Sequence, residues 1–354
     1  GNYIAYQLGP CKKHVFRSQK TGSSKTSIVY PAQSLERVWT QSSFTTLSKF
    51  FVNNHDTGSA CTYLSFPAGA DAGTFLHKVM ETAIVRAGGL PKEVLDSDTW
   101  LIEHVNRSFD WNMKGTLGTL SGSEQPDPAV GIAYAGDFEA YCRAWLIRTF
   151  KQLFQAPIFE GETLRDLIGK RHLAPEIGFL GSIDNRAFTP DRLEKAFTEN
   201  SVFSFVVNRG EGSKERFPLA QSLYGFLAGQ IDLIFKDKNE RYWIVDWKSN
   251  KIEDPEQNHS RDYFGNYTTE AMDSVMRGAN YKLQALCYLT ALKRFLHKYY
   301  KNEALALSHM GGALYVFLRG IGQVNGRQTG IYRMPMDSTL TDAVNTLDRL
   351  LTSR

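Results

Sequence analysis

Along residues 229–250, GQIDLIFKDKNERYWIVDWKSN, two runs of β-branched and aromatic residues flank the polar stretch 236–241. Such runs favour strands and the polar stretch cannot be core, so the pattern predicts a β-hairpin with strands at 230–235 and 242–248. Side chains alternate along a strand, which puts Tyr242, Ile244, Asp246 and Lys248 on one face and Trp243, Val245 and Trp247 on the other. A carboxylate and an ammonium thus project side by side from an otherwise apolar strand. Asp232 sits in the middle of the first strand between Ile231 and Leu233. Burying an ionised group is costly unless it is paired or binds a metal, so these charges need a reason.

Helical periodicity dominates elsewhere. Residues 39–53, WTQSSFTTLSKFFVN, predict a helix opening on Ser42 or Ser43 as N-cap. In AGADAGTFLHKVMETAIVRAGG, Asp71 is placed to cap the start, Gly88 and Gly89 the end, and Phe75, Leu76, Val79, Met80 and Ile84 form a buried stripe. His77 and Glu81 lie one turn apart on that helix and point the same way. Residues 91–199 are mostly helical in pattern, with helices at 137–154 and 190–200 and a strand at 172–184 that carries Glu176. The polar segment 251–267 predicts a mobile loop, followed by helices at 268–277 and 281–299, a strand at 311–321 and a closing helix at 338–351 capped by Asp337 or Ser338. In the 281–299 helix Leu283, Leu286, Cys287, Leu292 and Phe295 supply the core stripe, with Gln284 and Tyr288 on one flank. Strands interrupted by helices predict a mixed α/β sheet with helical cover.

Composition narrows the function classes. The chain has 354 residues, 42% apolar and 22% charged, with a net charge of +4, as expected of a globular protein compatible with a polyanion partner. Basic residues concentrate in residues 1–38, a stretch of little periodicity that reads as a solvated linker or a basic arm. The four cysteines, Cys11, Cys61, Cys142 and Cys287, form no CxxC pair, which argues against a zinc ribbon and for free thiols in a reducing compartment. No GxxxxGK[ST] occurs, and no apolar run is long enough to span a membrane. A cytoplasmic location is expected.

Two acids and a lysine on adjacent strands suit phosphodiester hydrolysis. Mg²⁺ prefers carboxylate oxygens, activates a bound water and offsets charge on the phosphate. A lysine beside it can steer or deprotonate that water and balance charge on phosphorus. Taken alone, the same residues also describe a surface hairpin with a salt bridge.

GTFLHKVME, GQIDLIF, IVDWKSN, YTTEAM, YKLQALCYLTAL and GGALYVFLRG follow one another in this order. Together they resemble the C-terminal nuclease domain of the RecB family, within the PD-(D/E)xK nucleases, from about residue 39 to the end. The resemblance implies a restriction-endonuclease-like mixed central sheet flanked by helices, with a helical insertion at about 91–170. It makes residues 1–38 a tether to a helicase part. It also implies a metal site of His77, Asp232, Asp246 and the backbone carbonyl of Trp247, with Glu176 as a further acid. Mg²⁺ would be the ion, with Mn²⁺ or Ca²⁺ as other occupants. Asp232, Asp246 and Lys248 would carry the catalysis, while Gln284, Tyr288 and Glu81 support the site or touch DNA. The family's usual DYK is DWK here, on the face away from the ligands, and the clustered cysteines of its iron–sulfur relatives are absent.

The expected function is Mg²⁺-dependent cleavage of single-stranded DNA within a helicase–nuclease that processes double-strand breaks. RecC, RecD and RecA are the implied partners, and a basic rim of Lys251, Arg277 and Lys282 the implied DNA path. The competing readings are a non-catalytic docking module and a metal phosphoesterase for small substrates. A site of this kind would contact the DNA backbone and not read sequence.

Overall fold

The computed structural model describes residues 3–5, 40–43, 63–112, 125–170, 172–183, 192, 195–196, 225–253, 259–260 and 262–352. Its sheet is built around the hairpin. Seven strands take part: β1 (Tyr3–Ala5), β2 (Thr40–Ser43), β3 (Leu173–Ile183), β4 (Gly225–Lys236), β5 (Tyr242–Lys248), β6 (Met310–Phe317) and β7 (Ile331–Pro335). Their order is β1-β3-β4-β5-β6-β7, with β2 alongside β4. β4 runs antiparallel to β3 and β5, β6 parallel to β5, and β7 antiparallel to β6. The two short strands join in parallel, β1 on β3 and β2 on β4.

Helices cover both faces, which is why β5 and β6 are apolar on both sides. α1 (Ala70–Ala87), α2 (Thr99–Asn112) and α3 (Phe138–Gln155) pack on one face with Trp243, Val245 and Trp247. α4 (Thr269–Gly278), α5 (Tyr281–Tyr300) and α6 (Ser338–Thr352) pack on the other with Ile244, Tyr315 and Phe317. The alternation predicted for β5 is therefore the division between two cores. Asp137 caps α3 and Asp337 caps α6, each accepting a first-turn amide.

Two glycines set close approaches. A Cβ on Gly229 would strike the Phe179 ring, so its absence lets that ring cross β4 and meet Tyr288 edge-on at 5.7 Å between centroids. A Cβ on Gly73 would lie 3.1 Å from Ser249 Oγ, so α1 passes close to the end of β5.

The described part of the loop after β5 is packed and not the mobile segment its polarity suggests. Ser260, Asp262, Asn266 and Tyr267 are buried there, although 254–258 and 261 lie outside the described residues. The Arg319 guanidinium, with no exposed surface, binds the Asp262 carboxylate at 2.5 Å. It also donates to the carbonyls of Ser249 at 2.9 Å, Phe66 at 3.0 Å, and Pro67. Asp262 in turn accepts the Phe66 amide at 2.6 Å. One buried cation thus ties the end of β5, the approach to α1 and the loop together.

Other expectations change. Thr40–Ser43 is a strand and not the start of a helix, because its amides are drawn into the free edge of β4; the rest of 39–53 lies outside the described residues. So does most of the helix expected at 190–200. Gly69, not Asp71, is the N-cap of α1, and Asp71 instead sits in the first turn, where its charge favours the helix dipole. Phe295 emerges to solvent while Leu296 takes the core position. Cys142 and Cys287 are free and buried; Cys11 and Cys61 lie outside the described residues. Among the described residues no helix is long and apolar enough to cross a membrane.

Asp262→Ala strands the buried Arg319 charge and should destabilise the fold by about 3–5 kcal/mol. Equilibrium urea unfolding measures this, and a loss below about 1 kcal/mol would show that water or another acid takes the place of Asp262.

Candidate active site

Pairing between β4 and β5 stops at Leu233↔Val245, and beyond it the strands diverge. The amide of Trp247, which would have continued the ladder, donates instead to Asp232 Oδ2 at 2.8 Å. In an extended strand the carbonyl of a residue points to the same side as its amide, so the Trp247 carbonyl also faces this opening. Asp232 Oδ2 lies 3.4 Å from His77 Nδ1 on α1. The opening therefore receives side chains from both helical layers. α1 brings His77 from one face, and α5 brings Gln284 and Tyr288 from the other.

On β5, Asp246 is 2% exposed and Lys248 8%. Lys248 Nζ lies 2.6 Å from Asp246 Oδ2 and donates to Gln284 Oε1 at 2.9 Å. Gln284 passes its own amide hydrogen to the Tyr288 hydroxyl at 3.0 Å. Gln284 and Tyr288 are both buried, Gln284 against the lysine and Tyr288 against Gln284.

Glu176 occupies the opposite rim. The β3–β4 ladder runs from Pro175↔Leu233 to Ile177↔Ile231 and skips the position shared by Glu176 and Asp232. Glu176 has φ +52°, a left-handed conformation that costs a non-glycine residue about 1–2 kcal/mol. Its carboxylate accepts from the Gln230 side-chain amide. Gly73, Thr74, His77, Lys78, Glu81, Glu176, Gln230 and Asp232 line an open cleft of about 480 Å³. Glu81 shares this wall with His77, but its carboxylate is taken by Lys78 at 2.5 Å.

The electrostatics reflect crowded negative charge. Burial, then the charges of Asp232 and Glu81, push the Glu176 carboxyl up to about 7. Burial and Asp232 also push Asp246 up to about 6, against the pull of Lys248. Burial opposes a charge on His77, but its bond to Asp232 and the two nearby carboxylates outweigh this and raise its pKa. Burial likewise opposes the Lys248 ammonium, and Asp246 more than offsets it, so the amine holds its proton above the usual lysine range.

Hard carboxylate oxygens with one imidazole form a donor set that suits Mg²⁺ or Mn²⁺, and a cation would relieve the repulsion between Asp232 and Asp246. Among the described residues no three His, Cys, Asp or Glu side chains already converge on a single ion position, and Asp246 faces Lys248 at 2.6 Å. The fit is thus one of chemistry and neighbourhood, and filling the site requires Asp246 to share itself between Lys248 and the ion.

Three neighbours escaped the sequence reading. The Tyr281 ring lies 3.7 Å from Lys248 Nζ, Tyr315 stands opposite Asp246 across β5 and β6, and Gln230 holds Glu176. Tyr281 shares a helical stripe with Gln284 and Tyr288, a spacing that was available in the sequence. Tyr315 became identifiable only when β6 was placed beside β5. Arg277 and Lys282, expected on a basic rim, are both held by Asp273 at 2.6 Å, and Lys282 is buried.

The profile of the PD-(D/E)XK nuclease superfamily matches residues 48–351. The RecBCD enzyme subunit RecB of Mycobacterium tuberculosis (strain ATCC 25618 / H37Rv) is 29% identical over 270 residues, 73% of this chain and 21% of that protein. The RecB subunit of Escherichia coli (strain K12) is 35% identical over 108 residues, 30% of this chain and 8% of that protein. The chain therefore spans about a fifth or less of the length of these relatives.

Raised carboxyl pKa values mean that the folded state binds more protons than the unfolded chain between about pH 4 and pH 7, so stability falls as pH rises through that window. His77, also raised, acts in the same direction: its contribution is present below its ordinary pKa and lost above its folded one. The thermal midpoint of the metal-free protein should therefore fall less steeply with pH in the double variant Glu176→Gln, Asp246→Asn. Mg²⁺ should raise the wild-type midpoint more at pH 8 than at pH 5. Equal shifts at both pH values, read by calorimetry, would count against a cation between these carboxylates.

Proposed function

The chain belongs to the PD-(D/E)XK nuclease superfamily, and from that premise we propose that it is the nuclease domain of a RecBCD-type helicase–nuclease, cutting single-stranded DNA with Mg²⁺ during double-strand break processing. The observation that carries this reading is the meeting of His77, Asp232, Asp246 and Lys248 at the opening between β4 and β5. RecC and RecD as partner subunits follow from this reading and from the names of the relatives, and RecA as a protein acting nearby follows from the reading alone.

A divalent cation held by His77, Asp232, Asp246 and the Trp247 carbonyl, with Glu176 at the rim, would polarise a phosphate oxygen and lower the pKa of a bound water. The chain's own groups prepare the rest. Asp232 is pinned by the Trp247 amide, so its free oxygen has a fixed direction. Asp246 favours the ammonium form of Lys248, which suits it to neutralise charge building on the phosphate. Gln284 holds that ammonium on the β5 side of the opening. The described residues lining the cleft include no Phe, Tyr or Trp ring, so a substrate would be held by its phosphates, through the cation, and not by stacking of its bases.

Asp246→Ala should abolish cleavage of an end-labelled single-stranded oligonucleotide in Mg²⁺ while leaving the circular dichroism spectrum unchanged. Lys248→Ala should lower kcat by about 10²–10³, the size of effect seen when one preorganised charge-stabilising group is removed. Metal-dependent cleavage at the wild-type rate by Asp246→Ala would overturn the assignment. A wild-type protein that binds DNA but cuts in neither Mg²⁺ nor Mn²⁺ would instead identify a docking module.

A further inference from the structure

The Lys248 amine is held by more than its two hydrogen-bond acceptors. Its Nζ stands 3.7 Å from the centroid of the Tyr281 ring and 5.3 Å from that of Tyr315. The two rings are stacked, 6.0 Å apart and inclined by 21°. Neither ring is free to drift. The Tyr281 hydroxyl lies 3.2 Å from Asn250 Oδ1 in hydrogen-bond contact, and the Tyr315 hydroxyl donates to the Tyr281 carbonyl at 3.0 Å and contacts Gln284 Oε1 at 3.2 Å. Tyr281 opens α5 immediately after Asn280, which adopts a left-handed conformation with φ +57° and is buried. The helix start is therefore anchored at the point where its first ring meets the lysine.

A lysine side chain has several rotatable bonds, and Asp246 alone would leave its amine free to pivot about one oxygen. The negative face of an aromatic ring attracts an ammonium, most strongly where water is excluded. We infer that Tyr281 is a positioning residue for Lys248, its ring face and the Gln284 oxygen fixing the ammonium beside Asp246. This rests on the nuclease reading above, because only there does the place of the amine matter to a reaction. It adds an electrostatic contact that the hydrogen-bond pattern around Gln284 and Tyr288 does not contain. It also gives the amine a seat that persists when Asp246 turns toward a cation.

The test is single-turnover cleavage of single-stranded DNA in Mg²⁺ by the whole chain, with Phe, monofluoro-, difluoro- and trifluoro-phenylalanine placed at position 281. Fluorination drains the ring face of negative charge with little change in shape. Tyr281→Phe should stay within about threefold of wild type, and the cleavage rate should then fall stepwise with each fluorine. Tyr281→Leu should lose on the order of tenfold in kcat, with KM for DNA unchanged. Equal rates across the fluorinated series, while wild type cuts, would overturn the role of Tyr281. A rise in KM without a drop in kcat would do the same and make Tyr281 a substrate contact. Should Tyr281→Leu fail to fold, the fluorinated series still decides. A wild-type protein that does not cut at all would count against the nuclease reading and not against the seating of the amine. Lysine-selective NMR then reads that seating directly. The ring-current shift at the Lys248 ε-methylene should persist in Tyr281→Phe and diminish in the trifluoro variant. An unchanged shift in the trifluoro variant would overturn the seating.

Discussion

A guanidinium with no exposed surface holds the two halves of the site in register. Arg319 reaches the Ser249 carbonyl, next in the chain to Lys248, and the Phe66 and Pro67 carbonyls that lead into the helix bearing His77. Its head also lies 5.7 Å from the Phe66 ring and 5.5 Å from the Trp145 ring, so the helical layer is drawn to the same point. A buried cation is tolerable only with its partners in place, which makes the arrangement all-or-none. With Asp262 and the carbonyls satisfied, α1 has one seat against the end of β5, and Gly73 permits the close fit. The distance from His77 to Asp232 inherits that precision.

The sheet supplies the second constraint by failing locally. Strands β4 and β5 part after Leu233, and a side-chain carboxylate takes the amide that a neighbouring strand would have taken. On the other side of β4 the ladder also skips a position, and Glu176 adopts a left-handed backbone there. Strain and missing ladder pairs thus coincide with the carboxylates. Such defects persist only where the surroundings over-determine them, and here two packed cores and a buried ion pair do so.

Charge balance connects this geometry to chemistry. Without an added cation the opening holds Asp232, Asp246 and Glu176 against a single ammonium and an imidazole whose proton affinity is already raised. The protein stores this imbalance as displaced protonation equilibria and not as a salt-bridge network that would cancel it. Two other acids are balanced by neighbours: Asp273 is met by Arg277, Lys282 and Tyr332, and Asp348 by Lys293 and Arg294.

The sequence by itself determined a good deal. The alternation of residues 242–248 set which side chains enter which core and placed Asp246 beside Lys248, because a strand has only two faces. The apolar stripe of α1 did the same for His77 and Glu81, and six ordered motifs identified the family. Tertiary structure decided who meets whom across long loops. It paired Tyr315 with Asp246, drew Thr40–Ser43 into the sheet, buried Lys282 on Asp273 and closed a polar loop around Arg319. Periodicity reports the direction of a side chain relative to its own element, whereas the choice of neighbour depends on how distant segments pack, and that no local pattern encodes.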